Sequence, residues 1–201
     1  MCNIYKARKQ LAGMASSQVM KDITGYMTFD QAERFVKETP NLRDKIIILL
    51  MWRCGLRVSE VVTLKKKWIY FDEGIIAVYG KGKKFRRVPV EKKTLELLKK
   101  YTEEIRGDDR IFHITRFGVF KMVRKLGKRV GIERVGEKGV HPHHFRHSFA
   151  IVMVKNGMPL PKLQTILGHS SLAATTFYLQ FRMSEIAKDY NRIWSKMLEY
   201  D

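Results

Sequence analysis

The chain has 201 residues, the size of one domain with or without an arm. Lys and Arg number 39 against 20 Asp and Glu, a net charge of +19, while 45% hydrophobic and 11% aromatic residues exclude wholesale disorder. Two cysteines, Cys2 and Cys54, exclude a disulfide scaffold and a four-cysteine zinc site, and the longest uncharged apolar run, Ile46 to Trp52, falls short of the ~20 residues of a membrane span.

Residues 1–25 read as a basic arm or linker, with Lys6, Arg8, Lys9 and Lys21 and no clear hydrophobic period. They show no apolar stretch of the secretory kind. Thr28 and Gln31 fit a capping box, so a helix is expected from there to about Glu38, stopping before Pro40. Asp44 to Cys54 is apolar nearly all round, which predicts a buried central helix with Gly55 at its C′ position. Ser59 is expected to cap a short helix from Glu60 to Leu64. The pattern then changes. Residues 68–71, 74–79 and 85–90 are rich in β-branched and aromatic residues, and glycine-containing turns separate them, which predicts a three-stranded antiparallel meander. Helices are expected again at 91–105, 115–130, 142–155, 161–167, 171–179 and 184–198, with Pro142 at a helix start and Gly157 at a helix end. The fold class is mixed α/β, mainly helical, with one small antiparallel sheet.

So much positive charge repels itself unless something anionic offsets it, and it is spread through folded segments, which favours nucleic acid as the partner. Residues 80–100 hold nine Lys or Arg against two acids, and residues 121–134 hold six against one. The expected DNA-backbone contacts are Lys83, Lys84, Arg86, Arg87, Lys121, Arg124, Lys125, Lys128 and Arg129.

Four of the six histidines lie between His141 and His147. His143 and His147 stand four residues apart and would share a helix face, as a metal pair does, but no spacing indicates a third ligand. The Glu of an H-E-x-x-H site is absent, so no metal is expected. An anion site is the other reading. Arg57 precedes a short helix and Arg146 lies in the first turns of another, positions from which guanidiniums and helix N–H groups can meet one phosphate. Glu60 can steer Arg57 by an ion pair, and Lys81 stands in a tight glycine turn. Taken singly, each also reads as a local salt bridge or a hairpin turn.

In combination these motifs resemble the tyrosine recombinase, or phage integrase, family, and its Xer-like members most closely. They occur in order: Arg57-x-x-Glu60 within GLRVSE, the hairpin GKGKKFRRVPV, His143-x-x-Arg146, Leu167-Gly168-His169-Ser170 and Tyr178. The resemblance covers roughly residues 26–182. It implies a DNA breaking and rejoining domain at 26–182 and a catalytic set of Arg57, Lys81, His143, Arg146, His169 and Tyr178. Arg57 and Arg146 would clamp the scissile phosphate, Tyr178 would be the nucleophile and Lys81 the general acid. His143 would act as acid or base, His169 would donate a hydrogen bond to the phosphate, and Glu60 would support the first arginine. Family members usually carry a separate N-terminal DNA-clamping domain, so residues 1–25 imply a minimal or a trimmed recombinase. Phe145 stands where the family often has Leu.

The implied reaction needs no cofactor. The implied partner is double-stranded DNA, engaged by a homo-oligomer that becomes a tetramer in the synaptic complex, in the cytoplasm and without a membrane. Two other readings share the fold: DNA relaxation in the manner of type IB topoisomerases, and a DNA-binding regulator without catalysis. Residues 183–201 are expected to form a C-terminal helix with Ile186, Tyr190, Ile193 and Met197 in one apolar stripe and Trp194 beside it, suited to a neighbouring protomer.

Overall fold

The computed structural model describes residues 26–79 and 85–168. The order of elements is α1 (Phe29–Glu38), α2 (Leu42–Trp52), α3 (Val58–Val62), a 3-10 turn (Lys66–Trp68), β1 (Ile69–Tyr70), β2 (Ile75–Tyr79), β3 (Phe85–Pro89), α4 (Lys92–Tyr101), α5 (Arg116–Arg129), β4 (Arg134–Val135), β5 (Lys138–Gly139), α6 (Pro142–Lys155) and α7 (Leu160–Leu167). The architecture is mainly helical with a small antiparallel sheet, as the sequence predicts.

Local chemistry sets most of the boundaries. The Thr28 hydroxyl accepts the Gln31 N–H at 3.2 Å and the Gln31 side-chain oxygen accepts the Thr28 N–H at 2.9 Å, which closes the expected capping box. The central helix starts two residues earlier than its apolar run, because the Asn41 side chain accepts the Asp44 N–H at 2.9 Å and caps it. Its last residue is Trp52 and its C-cap Arg53, so C′ is Cys54 and Gly55 lies one residue beyond it, in left-handed conformation at φ 65°. The short helix begins at Val58 rather than Glu60. Its N-cap is Arg57, not Ser59, because the Glu60 carboxylate reaches back and accepts the Arg57 N–H at 2.7 Å. Helix α4 is shorter than expected. Glu91 caps it by accepting the Lys93 and Thr94 N–H groups, and at its other end the Thr102 hydroxyl bonds to the Leu98 carbonyl at 2.8 Å.

The meander has the order β1-β2-β3. Its register pairs Ile69 with Ile76 and Val78 with Arg86, so Ile76, Val78 and Val88 face the core. A second hairpin, β4–β5, was not anticipated: two-residue strands in Arg134-Val135-Gly136-Glu137-Lys138-Gly139 carry no alternating apolar signal.

Helix α2 is the centre of the domain. Ile46, Ile47, Ile48, Leu50 and Met51 are wholly buried, and α1, α3, α4 and α6 all contact the helix. Removing one such side chain to Ala costs ~2–5 kcal/mol, so α2 is the rigid post against which the rest is placed. Its end is tied by Trp52 Nε1 to Glu33 at 2.8 Å and by Arg53 to Glu33 and Glu91. Cys54 follows, fully enclosed, and burial pushes its thiol up to about 12. Strand β3 packs on α7, and Ser148 of α6 accepts the Met27 N–H at 2.7 Å. Among the described residues no helix is long and apolar enough to cross a membrane.

Candidate active site

Three chain segments bring arginines to one place. The turn after α2 delivers Arg57, strand β3 delivers Arg86, and the second turn of α6 delivers Arg146. The carbonyl of Leu167, at the end of α7, accepts Arg146 Nη2 at 2.6 Å and Arg57 Nη1 at 3.4 Å. Arg146 Nη1 also donates to the Gly55 carbonyl. The guanidiniums of Arg57 and Arg146, 89 positions apart in sequence, therefore converge on a single oxygen.

Gly55 makes this approach possible. Its φ of 65° suits glycine, and a Cβ there would lie 2.5 Å from the Phe149 ring. The bend it permits turns its carbonyl toward α6 and sends the chain through buried Leu56 to Arg57.

One carboxylate serves the cluster. Glu60 Oε1 accepts Arg57 Nη1 at 3.1 Å and Arg86 Nη1 at 2.6 Å, and Oε2 accepts Arg86 Nη2 at 2.9 Å. Burial alone would raise the Glu60 carboxyl. The Arg86 hydrogen bond and charge, the Arg57 N–H and the Arg146 charge hold it below the usual carboxylate range. Glu60 is therefore ionised at neutral pH, and among the described residues three guanidiniums surround a single negative charge. The site stays net positive and suited to a phosphodiester.

His143 stands on the exposed side of the first turn of α6. Its pKa is lowered, first by what burial the ring has and then by the positive charges of Arg146 and Arg57. It is therefore neutral at pH 7 and able to accept a proton. Behind it, His141 and His144 stack at 3.8 Å between centroids, and His144 Nδ1 accepts the His141 N–H at 3.2 Å. Burial, joined by neighbouring histidines and Lys138, pushes His141 down to about 4 and His144 down to about 3. Among the described residues no three His, Cys, Asp or Glu side chains gather into a metal-binding group.

Arg86 was expected on the DNA backbone and is found elsewhere. Its side chain is 9% exposed and turns inward to Glu60 and to the Ile166 carbonyl, which accepts Nε at 2.7 Å. Arg87 does face solvent, against Glu73 and the Tyr70 ring. Lys121, Arg124, Lys125, Lys128 and Arg129 are all exposed along α5, with Lys121 lying 4.7 Å over the Phe117 ring. Lys81, Lys83, Lys84, His169, Tyr178 and the terminal stripe lie outside the described residues. Sequence reasoning missed the two carbonyl acceptors, the Arg86–Glu60 pair and the histidine stack. Of these, only the stack had a local signal, in the crowded run 141–147.

The profile of the phage integrase family matches residues 25–185. The chain belongs to the phage integrase family. The chain is 31% identical over 176 residues to the tyrosine recombinase XerA of Pyrococcus horikoshii, which covers 82% of this chain and 60% of that protein. It is 35% identical over 167 residues to XerD of Chlorobaculum tepidum, 77% of this chain and 54% of that one. The chain thus spans little more than half the length of these curated family members. Among solved structures, XerA recombinase aligns with TM-score 0.67 at 30% identity, over 83% of this chain and 64% of that chain. XerH site-specific recombinase, bound to its difH substrate before cleavage, aligns with TM-score 0.67 at 28% identity, over 81% of this chain and 52% of that chain. The integrase fold found by these alignments is the one described above.

Proposed function

We propose that the chain is a site-specific DNA recombinase that cuts and rejoins strands through a covalent 3′-phosphotyrosine. The observation that carries this reading is the convergence of Arg57 and Arg146 on the Leu167 carbonyl beside neutral His143. A phosphodiester resists attack because it is already negative. Two planar guanidiniums aimed at one point offset the charge that grows as phosphorus becomes five-coordinate.

In the proposed step the Tyr178 oxygen attacks the scissile phosphorus and its proton passes to His143. A phenol with a pKa near 10 needs such a base and the surrounding positive charge. The bond to the 5′-oxygen breaks, Lys81 protonates that oxygen, and His169 hydrogen-bonds the phosphate. The 3′-phosphotyrosine keeps the bond energy, and a 5′-hydroxyl from another strand reverses the chemistry. No cofactor enters this scheme. Double-stranded DNA is the proposed substrate, held along the exposed cations of α5 and Arg87, with Lys83 and Lys84 beside it. Residues 26–182 would form the catalytic domain after a basic arm at 1–25, and the helix at 183–201 would dock on a neighbour within a cytoplasmic tetramer.

A pool of nicked suicide duplexes tests the proposal. The chain should become covalently attached to a defined subset of sequences, through a 3′-phosphate on the 5′ side of the nick, as the short 5′-hydroxyl fragment up to the nick is released. Relaxation of supercoiled plasmid without sequence preference and without strand exchange would favour the topoisomerase reading. Binding with no covalent product would favour the idle regulator.

A further inference from the structure

The phosphate-clamp reading leaves Arg86 without work to do. At 9% exposure its side chain cannot serve as a surface contact, and among the described residues every hydrogen bond of that side chain runs inward. We infer that Arg86 is a positioning residue: it occupies the Glu60 carboxylate so that Arg57 keeps its own guanidinium for the DNA phosphate. The inference rests on the clamp reading given above.

The geometry supports it at three points. First, Glu60 is saturated. Its two oxygens receive four hydrogen bonds, two from the Arg86 fork, one from Arg57 Nη1 and one from the Arg57 backbone N–H, and a carboxylate has about four acceptor sites. Second, Arg57 is only lightly held. Among the described residues its Nε and Nη2 make no hydrogen bond, and its side chain is 33% exposed beside a carboxylate three positions away. Without Arg86, Glu60 would close on Arg57 as a two-pronged pair, cancel its charge and turn its fork from the ligand. Third, the chain makes room for Arg86. Gly168 ends α7 at φ 63°, and a Cβ there would lie 2.7 Å from Arg86 Cδ. With Nε on the Ile166 carbonyl, Arg86 ties β3, α3 and the end of α7 together.

A purely structural strut and the proposed role differ in how two changes combine. Arg86→Met leaves Glu60 to capture Arg57. Adding Glu60→Gln removes the captor, so function should return in the double variant, whereas loss of a strut should only deepen. The measurement is an inorganic phosphate titration followed on the arginine side-chain signals of 15N-labelled protein, confined to folded samples. Arg86→Met should weaken phosphate at Arg57 by about tenfold, the worth of one charge-assisted hydrogen bond. The double variant should return to within about threefold of the wild type, a coupling that independent sites do not show. Arg86→Lys, which keeps the charge and loses the fork, should fall between, and it carries the test if Arg86→Met does not fold. Covalent capture of nicked DNA should follow the same order. A double variant no better than Arg86→Met, or a phosphate affinity indifferent to Arg86, overturns the proposal. A wild type that binds phosphate and never captures DNA removes the recombinase reading and leaves the role of Arg86 standing. A wild type blind to phosphate removes both.

Discussion

At the α3 corner of the site a carboxylate holds the arginines; at the α6 corner, among the described residues, two backbone carbonyls receive Arg146. Arg57 and Arg86 lean on ionised Glu60, while Arg146 donates to the carbonyls of Gly55 and Leu167 and its helix begins on a pair of uncharged, stacked imidazoles. The two solutions differ in what they spend. A carboxylate anchors a guanidinium firmly but cancels part of its charge. A backbone carbonyl anchors it without cancelling its charge. Combining them gives a site that is rigid and still positive.

Tyr178→Phe is the baseline against which both corners are measured. It removes only the phenol oxygen, so covalent capture of a suicide substrate should vanish while DNA binding and the thermal midpoint survive. Any captured product from this variant would falsify the nucleophile assignment and make the comparison of corners irrelevant to cleavage.

The next largest effect separates the corners directly. Arg57→Lys and Arg146→Lys each keep a charge and lose a fork, and loss of one donor to a developing oxyanion costs ~3 kcal/mol, a slowing of ~100-fold or more. Arg146→Lys should be the worse of the two, because one ammonium cannot bridge the Gly55 and Leu167 carbonyls that the buried fork now joins. Single-turnover cleavage rates of bound complexes would check this. Equal rates, or an effect confined to DNA affinity, would mean that the two corners are interchangeable.

Two glycines then sharpen the contrast. Gly55→Ala sets a Cβ against the enclosed Phe149 ring at a left-handed position and should cost ~1–3 kcal/mol of stability. Gly168→Ala meets the Arg86 side chain instead, so it should cost about 1 kcal/mol of stability and show mainly in cleavage. Urea midpoints paired with cleavage rates test the assignment. A Gly168→Ala variant with normal cleavage would place Arg86 outside the reaction.

The smallest effect is a pH slope. His141 and His144 are pushed down to about 4 and about 3, whereas an unfolded histidine titrates near 6.5. As pH falls below ~6.5 the unfolded chain takes up protons that the folded pair refuses, so this stability is complete above ~6.5 and is lost on the way down toward 4. Glu60 acts in the same direction but at lower pH: its lowered pKa keeps its contribution intact until the pH passes below ~4.3. Thermal midpoints taken from about pH 7.5 to about pH 5 therefore report the lowered histidines at the α6 corner, the stack together with His143, and not Glu60, with each kcal/mol lost lowering the midpoint by about 2–4 °C. The variant combining His141→Thr and His144→Val should flatten the slope. A wild-type midpoint constant over that range would show that the stack is not held neutral.

What the sequence disclosed of this site was what neighbours in the chain decide. Thr28 with Gln31, Pro142 at the head of α6 and the Arg57–Glu60 pair all act within three residues, and all were legible; that Thr115 caps α5 and does not belong to it was not. The α3 boundary was misplaced because Ser59 looked like a cap, while the actual satisfaction of the Arg57 N–H comes from a carboxylate reaching backward. Arg86 was read as a surface cation because nothing local distinguishes it from Arg87. Strand alternation turns one in and the other out, and Glu60, 26 positions away, decides the matter. The carbonyls of Gly55 and Leu167 carry no side-chain signature at all, so acceptors of this kind emerge only from the assembled backbone.

The enclosed Cys54 thiol gives the protein a clock of its own. The thiolate is the nucleophile that attacks an alkylating reagent, and a thiol at about 12 in a closed core presents almost none. Modification of Cys54 must wait for the bend between α2 and Arg57 to open, so its rate measures how often that bend comes apart. With Cys2→Ser in place, the chain would carry this single timer, one residue from the Gly55 carbonyl that receives Arg146. Slower labelling in the presence of DNA would then count, in seconds or hours, how far an occupied phosphate clamp quiets the backbone that built it.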